Sequence, residues 1–302
     1  MAIVEAKSAA GVSPAAAVRP ILPVTVIVAA RNEARNLPRC LSALQNVGEV
    51  YVVDSQSTDE TCAVAEAAGA KVVQFYYRGG WPKKRQWAMD TLAIAYDWIL
   101  LLDADEVLTP ELEDEIRRSI QDPGVNGYRI CLQMYFLGRI LRHCDASFWK
   151  LSLFRKGRGR FECRLKDQDT SMADMEIHEH VVVEGQSAEL RNRLIHHNVE
   201  SLSRYILKHN EYSNWEARVL AGQGNDVEEM QASLFGTQAQ RRRWLKRKLY
   251  WVPGSPVLLF LYRYFVRLGL MDGVPGLIYC SFQAVQMFHT KAKICELRRA
   301  GN

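Results

Sequence analysis

Three acidic residues that could bind a cation follow one apolar segment. Asp103, Asp105 and Glu106 surround Ala104 directly after residues 98–102 (WILLL), a run typical of a buried strand. Carboxylates at a strand end are held rigidly, and Mg²⁺ or Mn²⁺ prefers carboxylate and phosphate oxygens over nitrogen or sulfur. The pattern favours a site for a divalent ion and a nucleotide diphosphate, although acidic residues also follow strands as capping residues.

The chain before this motif alternates between strand-like and helix-like segments. Strands are predicted for residues 24–30, 50–53, 72–75 and 98–102, and helices for residues 37–44, 63–68, 84–95 and from Thr109-Pro110 onward. This alternation predicts an α/β fold with a mostly parallel sheet, whose ligand site lies at the carboxyl ends of the strands. Three of these ends are polar, at residues 31–33, 54–55 and 103–106, and we expect them to lie close together.

Four motifs in this order resemble a known family. They are VAARNE at 28–33, VVDSQSTDET at 52–61, KRQWA at 84–88 and LDADE at 102–106. The series resembles family 2 glycosyltransferases of the GT-A fold, and within them bacterial lipopolysaccharide-core glucosyltransferase-like proteins, which share Val-Asp-Ser at the second strand and a later His-Glu, here His178-Glu179. The resemblance implies a Rossmann-like, mostly parallel sheet with helices on both faces, and inverting transfer of a sugar from a nucleotide donor.

The resemblance also implies a donor site. Its residues would be Ala30, Arg31, Glu33, Asp54, Lys84, Arg85, Asp103, Ala104 and Asp105. Asp54 would face the nucleobase and Glu33 the base or ribose. A carboxylate suits the imide N–H of uracil, which favours a UDP-sugar. Alternatively, Asp54 caps the following helix, and Lys84 and Arg85 are solvated cations.

The same resemblance assigns the metal. Asp105 would hold Mn²⁺ or Mg²⁺ across the diphosphate, with Asp103 on the ribose side and near the metal, and with His178 as a further metal or phosphate contact. Glu106 instead could cap the next helix.

Three carboxylates are candidates for the base that takes the acceptor proton: Asp174, Glu176 and Glu179. If this segment is a strand, Glu176 and Glu179 lie on opposite faces, which does not select one of them. The match to the family's His-Glu favours Glu179 as base or acceptor-binding residue. His196, His197 and His209 are interpreted as structural.

Length and cysteine content fit one large domain with an appendage. We predict a disordered lead-in over residues 1–20, a catalytic domain over 21–238 and a basic amphipathic helical region over 239–302. The seven cysteines form no C-x-x-C pair, which predicts reduced cytosolic thiols and disfavours a zinc site.

The C-terminal region is strongly basic. Residues 239–302 contain twelve Lys or Arg residues and two acidic ones, a charge of +10, whereas the remaining chain carries −5. Basic residues beside Trp244, Tyr250, Trp251 and short apolar helices suit an anionic membrane surface, and no segment is apolar enough to span the bilayer. We therefore expect a cytoplasmic protein that is peripheral on the inner face of the cell membrane. A solvated basic face is the alternative; nucleic-acid binding is disfavoured because no reader motif is present.

Two other functions compete with sugar transfer. A nucleotidyltransferase would carry a glycine-rich phosphate loop after the first strand, which residues 29–33 lack. A catalytically silent scaffold is disfavoured by the intact Asp103 and Asp105. The acceptor stays open between lipid A core, a polyprenyl-diphosphate-linked saccharide and another glycan.

Overall fold

The computed structural model describes residues 20–165, 174, 176, 179–197, 201–223 and 232–300, so nearly all of the predicted lead-in lies outside it. The strands are β1 (Leu22–Ala30), β2 (Val47–Asp54), β3 (Lys71–Gln74), β4 (Trp98–Asp103), β5 (Glu106–Val107), β6 (Gly127–Phe136), β7 (Arg139–Ile140), β8 (Phe148–Arg155), β9 (Gly159–Phe161), β10 (Val181–Val183) and β11 (Ser187–His197). The helices are α1 (Leu37–Ser42), α2 (Thr61–Ala67), α3 (Lys84–Thr91), α4 (Pro110–Ser119), α5 (Leu202–Arg218), α6 (Gln238–Leu249), α7 (Ser255–Leu261) and α8 (Gly273–Ala300).

The central sheet confirms the predicted α/β architecture. Its strand order is β3-β2-β1-β4-β8-β6-β11-β5, with β7 paired to β6. Strands β3, β2, β1 and β4 are parallel neighbours. Strand β8 runs antiparallel between β4 and β6, while β11 is parallel to β6. Strands β9 and β10 form a separate antiparallel pair.

Strand β1 is buried on both faces, as expected for the interior of a parallel sheet. Val26 and Val28 pack into one apolar cluster with residues of α1, α2 and α4, while Ile27 packs into a second cluster with Ala88 of α3. Helices therefore cover both faces of the sheet, which confirms the prediction.

The register of the parallel strands brings their carboxyl ends together. Ala30 of β1 lies opposite Asp54 of β2, and Ala29 lies opposite Asp103 of β4. From β1 the chain proceeds to β2 and β3 on one side, whereas β4 lies on the other side. The crevice between β1 and β4 is thus the position where open α/β sheets bind ligands.

Two predicted elements differ from the structure. The helix expected over residues 84–95 ends at Thr91, because Leu92 is extended. The strand considered around Glu176 and Glu179 is absent at the described residues there, and β10 begins only at Val181.

The basic C-terminal region is helical, as predicted, and it packs on the body of the protein. Tyr279 and Cys280 of α8 share an apolar cluster with Phe136 of β6 and Tyr205 of α5. Within the described residues, no helix is both long and apolar enough to cross a membrane. The division at residue 238 remains a prediction.

One of the twelve basic residues of this region, Arg243, is neither solvated nor available to a membrane surface. Its guanidinium is buried in an ion pair with Glu162, donating from Nη1 to Oε2 at 3.0 Å and from Nη2 to Oε1. Glu162 also accepts a hydrogen bond from the backbone N–H of His180. One arginine of α6 therefore attaches this helix to the segment that follows β9.

We expect Arg243→Ala to lower the free energy of unfolding by about 3 to 5 kcal/mol, because it leaves the buried Glu162 carboxylate without its cation. The matched control is Arg241→Ala, two residues away and exposed, which should change the stability little. Urea unfolding of both variants decides the question. Equal stability of the two variants would show that the ion pair contributes nothing.

Candidate active site

The turn after β4 is organised by its own residues. The Glu106 carboxylate accepts the backbone N–H of Asp103 at 3.0 Å, and Ala104 is buried. Glu106 does not cap the next helix; Thr109 does so, accepting the N–H of Leu112. The fully buried Glu106 is therefore a support of the turn.

Asp103 lies between two cations. Its carboxylate forms an ion pair with Arg85 at the start of α3 and lies 3.5 Å from the ammonium of Lys150 on β8. Lys150 is also 3.6 Å from Glu106, and burial lowers the pKa of Lys150 to about 8. The sequence analysis missed Lys150, because no motif accompanies it and the strand pairing alone brings it here.

Asp105 points toward a different group. Its Oδ2 lies 3.2 Å from Nε2 of His196 on β11. Burial works to raise the pKa of Asp105, but His196 and Lys208 hold it below its usual range. The same pairing holds the pKa of His196 above its ordinary value, although burial opposes this.

His196, interpreted from the sequence as structural, lies against Asp105 and borders the acidic turn. The signal available in the sequence was a His-His pair after a long strand, and nothing there indicated which acidic residue it would meet. His209 agrees with the structural interpretation, since it stacks on Tyr205 with ring centroids 3.8 Å apart.

The residues around Asp105 fit a divalent ion bound mainly by substrate. Asp105 Oδ1 is buried and accepts no hydrogen bond from the described residues. This oxygen can therefore still accept a hydrogen bond or bind a cation. His196 holds the other oxygen of this carboxylate in place. The described residues contain no group of three or more His, Cys, Asp or Glu side chains arranged around a common metal position. One or two protein ligands with substrate phosphates and water suffice for Mg²⁺. His178, the predicted extra ligand, lies outside the described residues.

Asp54 is saturated by its own surroundings. It accepts hydrogen bonds from the backbone N–H of Ser57 at 2.9 Å, from the Ser57 hydroxyl and from Gln74 at 3.0 Å, and it is fully buried. These contacts close a turn at Ser57 and do not cap α2, whose N-cap residue is Glu60. Asp54 fixes the turn that precedes α2.

Glu33 lines the same polar cleft as Asp105. Its carboxylate accepts hydrogen bonds from Asn36 at 2.7 Å, from Arg204 at 2.9 Å and from Lys208 at 3.2 Å. Burial raises the pKa of Glu33. Neither cation of α5 was predicted, and both converge on the polar cleft that Glu33 and Asp105 line.

The predicted cations at α3 are buried, which excludes their interpretation as solvated residues. Lys84 donates to the carbonyl of Ala30 at 2.8 Å and lies 3.3 Å from Asp174. Arg85 is held by Asp103. The exposed Arg31 contributes its carbonyl, which accepts from Arg204 at 2.8 Å.

The three candidate bases have different environments. Glu176 accepts the backbone N–H groups of Arg85 and Gln86, so it caps α3. Asp174 lies beside Lys84, and although burial opposes it, that lysine holds the pKa of Asp174 below its usual range. Glu179 has no exposed side-chain surface and lies 3.7 Å from Lys83; burial raises its pKa to about 7.

Comparisons with known proteins find glycosyltransferases. The profile of Glycosyl transferase family 2 matches residues 25–162, which include every predicted donor residue. The chain is 27% identical to the lipopolysaccharide core biosynthesis glycosyltransferase LpsC of Rhizobium meliloti (strain 1021), covering 91% of this chain and 93% of LpsC. It is 31% identical to an uncharacterized glycosyltransferase of Rickettsia felis, covering 68% and 72%.

Solved structures are more distant in sequence. TarS of S. aureus, residues 1–349, covers 92% of this chain and 91% of its own at 16% identity, with a TM-score of 0.40. Glucosyl-3-phosphoglycerate synthase of Mycobacterium tuberculosis in complex with Mn²⁺, UDP and glucosyl-3-phosphoglycerate covers 70% and 82% at 13% identity, with a TM-score of 0.37. By its motifs, its GT-A fold and its relatives, the chain belongs to glycosyltransferase family 2.

Proposed function

We propose that this enzyme transfers a sugar, with inversion, from a UDP-linked donor to a saccharide or lipid-linked acceptor of a cell-envelope glycan. The observation that carries the proposal is the buried acidic turn at the β1/β4 crevice, with Asp105 beside His196 and Asp103 beside Arg85. The relative named for lipopolysaccharide core biosynthesis, aligned over 91% of this chain, supports an envelope acceptor.

We propose that Asp105, with His196 as neighbour, holds Mn²⁺ or Mg²⁺. The ion would act as a Lewis acid for the departing diphosphate. Asp103, held by Arg85 and Lys150, would face the ribose side, while the turn that Asp54 fixes would border the nucleobase. Lys84 supports this edge by binding the carbonyl of Ala30.

We propose Glu179 as the base, with Asp174 as the competing candidate. A general base works best when its pKa lies near the operating pH, and the environment of Glu179 meets this condition. Glu176 is disfavoured because two backbone N–H groups occupy its oxygens.

We also propose an anionic membrane as the surface on which the enzyme meets a lipid-linked acceptor. Between Leu245 and Phe288, sixteen large apolar side chains are exposed, including Val257, Val266 and Val274 at 62% to 68%. Surfaces of this kind are unusual on a soluble monomer and mark an interaction site. Exposed Arg241 and Lys248 add positive charge on α6.

The predicted aromatic cluster contributes less to this surface than expected. Tyr250 is buried, and its hydroxyl donates to Glu216 at 2.9 Å, so it cannot contact lipid. Trp251 is half exposed, with Arg298 over its ring at 4.4 Å, and Trp244 is partly buried. The proposed contact therefore depends on apolar residues of α7, α8 and the segment between them.

Asp105→Ala should lower the rate of UDP release from a UDP-sugar donor by at least about a hundredfold, because the proposed metal loses its carboxylate. His196→Ala should raise the Mn²⁺ concentration needed for half-maximal rate. Asp122→Ala, on an exposed loop, is the control and should match the wild type. Full turnover in EDTA would refute the metal proposal.

The pH dependence of kcat distinguishes the two candidate bases. A base must be deprotonated, so with Glu179 as base kcat should rise with pH and level off above about 7. With Asp174 as base, whose pKa lies below the usual range, kcat should stay flat between about pH 6 and 8. Glu179→Gln and Asp174→Asn should then show which loss abolishes transfer at every pH.

The triple variant Val257→Ser, Val266→Ser and Val274→Ser should weaken binding to vesicles of phosphatidylglycerol and phosphatidylcholine by at least about tenfold, since each substitution removes exposed apolar surface. Phe235→Ser, at a site 94% exposed but outside this surface, is the control. Co-sedimentation at low and high salt measures both. Wild-type protein that stays in solution with these vesicles at low salt would contradict the proposal.

A further inference from the structure

Helix α5 lies over the acidic end of the crevice with one polar face. Arg204, Lys208 and Tyr212 are spaced by four residues and therefore share that face. Arg204 and Lys208 contact Glu33, which follows β1. Tyr212 is within electrostatic reach of Asp105 and Arg85. The helix thus spans the donor site from the end of β1 to the start of α3.

Arg204 is bound more firmly to the rest of the protein than Lys208, the other cation of α5. Arg204 is anchored twice, to the Glu33 carboxylate at 2.9 Å and to the carbonyl of Arg31 at 2.8 Å. The ammonium of Lys208 lies 3.2 Å from the same Glu33 oxygen, and its side chain is 36% exposed. Since one carboxylate oxygen serves both cations, Glu33 keeps a partner when Lys208 leaves.

Lys208 also influences Asp105. It contributes to the lowered pKa of Asp105, and Asp105 and Glu33 together raise the pKa of Lys208 against the effect of burial. The ammonium therefore stays charged. Lys208 lines the same polar cleft as the Glu33 carboxylate and the Asp105 carboxylate proposed to hold the metal.

We propose that Lys208 binds the diphosphate of the donor and of the departing nucleotide. Its ammonium breaks its contact with the Glu33 carboxylate when it binds the phosphates. This inference rests on the proposed nucleotide-sugar activity, and it adds a cation from α5 to the site that Asp105 and Asp103 form. An ammonium is a suitable phosphate ligand because it carries three donors and full charge. Arg204 retains Glu33 and keeps α5 in place.

The test compares ligands that differ only in the second phosphate. The full chain is titrated by calorimetry with UDP and with UMP, both without metal. Lys208→Met should lower the affinity for UDP by about tenfold or more, while the affinity for UMP should change far less. Lys208→Arg keeps the charge and should restore most of the UDP affinity. Lys71→Met, which removes an ammonium 2.8 Å from Glu49 elsewhere in the domain, is the matched control.

Pyrophosphate separates failure of this inference from failure of the UDP assignment, because it contains the diphosphate without a base. If wild-type protein binds pyrophosphate but not UDP, the donor assignment is wrong, and loss of pyrophosphate binding in Lys208→Met still supports the role of Lys208. Two results for Lys208→Met would overturn the inference and leave Lys208 only as a partner of Glu33. One is a ratio of UDP affinity to UMP affinity equal to that of the wild type, and the other is an unchanged affinity for pyrophosphate. Absence of binding to both ligands by the wild type would overturn it as well.

Discussion

The acidic carboxyl end of the sheet depends on the neutralisation of buried carboxylates. Glu33, Asp105 and Glu106 are all buried at one edge, and unpaired charges there would cost several kcal/mol each. Each finds its compensation in a different element. Lys208 and Arg204 come from α5, His196 from β11 and Lys150 from β8. The acidic turn is therefore completed only when both halves of the sheet and α5 are packed together.

This dependence explains what the sequence could predict. Strands β1, β2 and β4 are apolar runs with polar ends, so the parallel sheet and the convergence of Asp54 and Asp103 follow from local pattern and general topology. The four motifs then indicated the family, and membership in it excludes the nucleotidyltransferase interpretation.

The partners of these acidic residues could not be predicted in the same way. Lys150 is 47 residues from Asp103, and Lys208 is 175 residues from Glu33. Nothing in the local sequence of a lysine on a strand or helix specifies a carboxylate so far away. The contact of His196 with Asp105 could not be predicted for the same reason.

Polar residues that a resemblance assigns to ligands can also have partners within the protein. The resemblance implies that Asp54 faces the nucleobase, and Ser57, only three residues later, donates to both of its oxygens. Tyr250 was assigned to a membrane-facing surface and Arg243 belongs to the same basic region, whereas each has a buried acidic partner, Glu216 and Glu162 respectively. A short-range hydrogen bond or a distant buried carboxylate can satisfy a side chain before any ligand does.

The packing of α5 joins the donor site to the exposed apolar surface. One face of α5 carries Lys208 over the crevice, while Tyr205 of the same helix packs with Tyr279 and Cys280 of α8. Helix α8 begins at Gly273, next to the exposed Val274, and also contacts α7, where Val257 is exposed. The surface proposed for the lipid and the cation proposed for the diphosphate therefore lie on helices that pack against each other. A change in the packing of α8 would reach the crevice through α5.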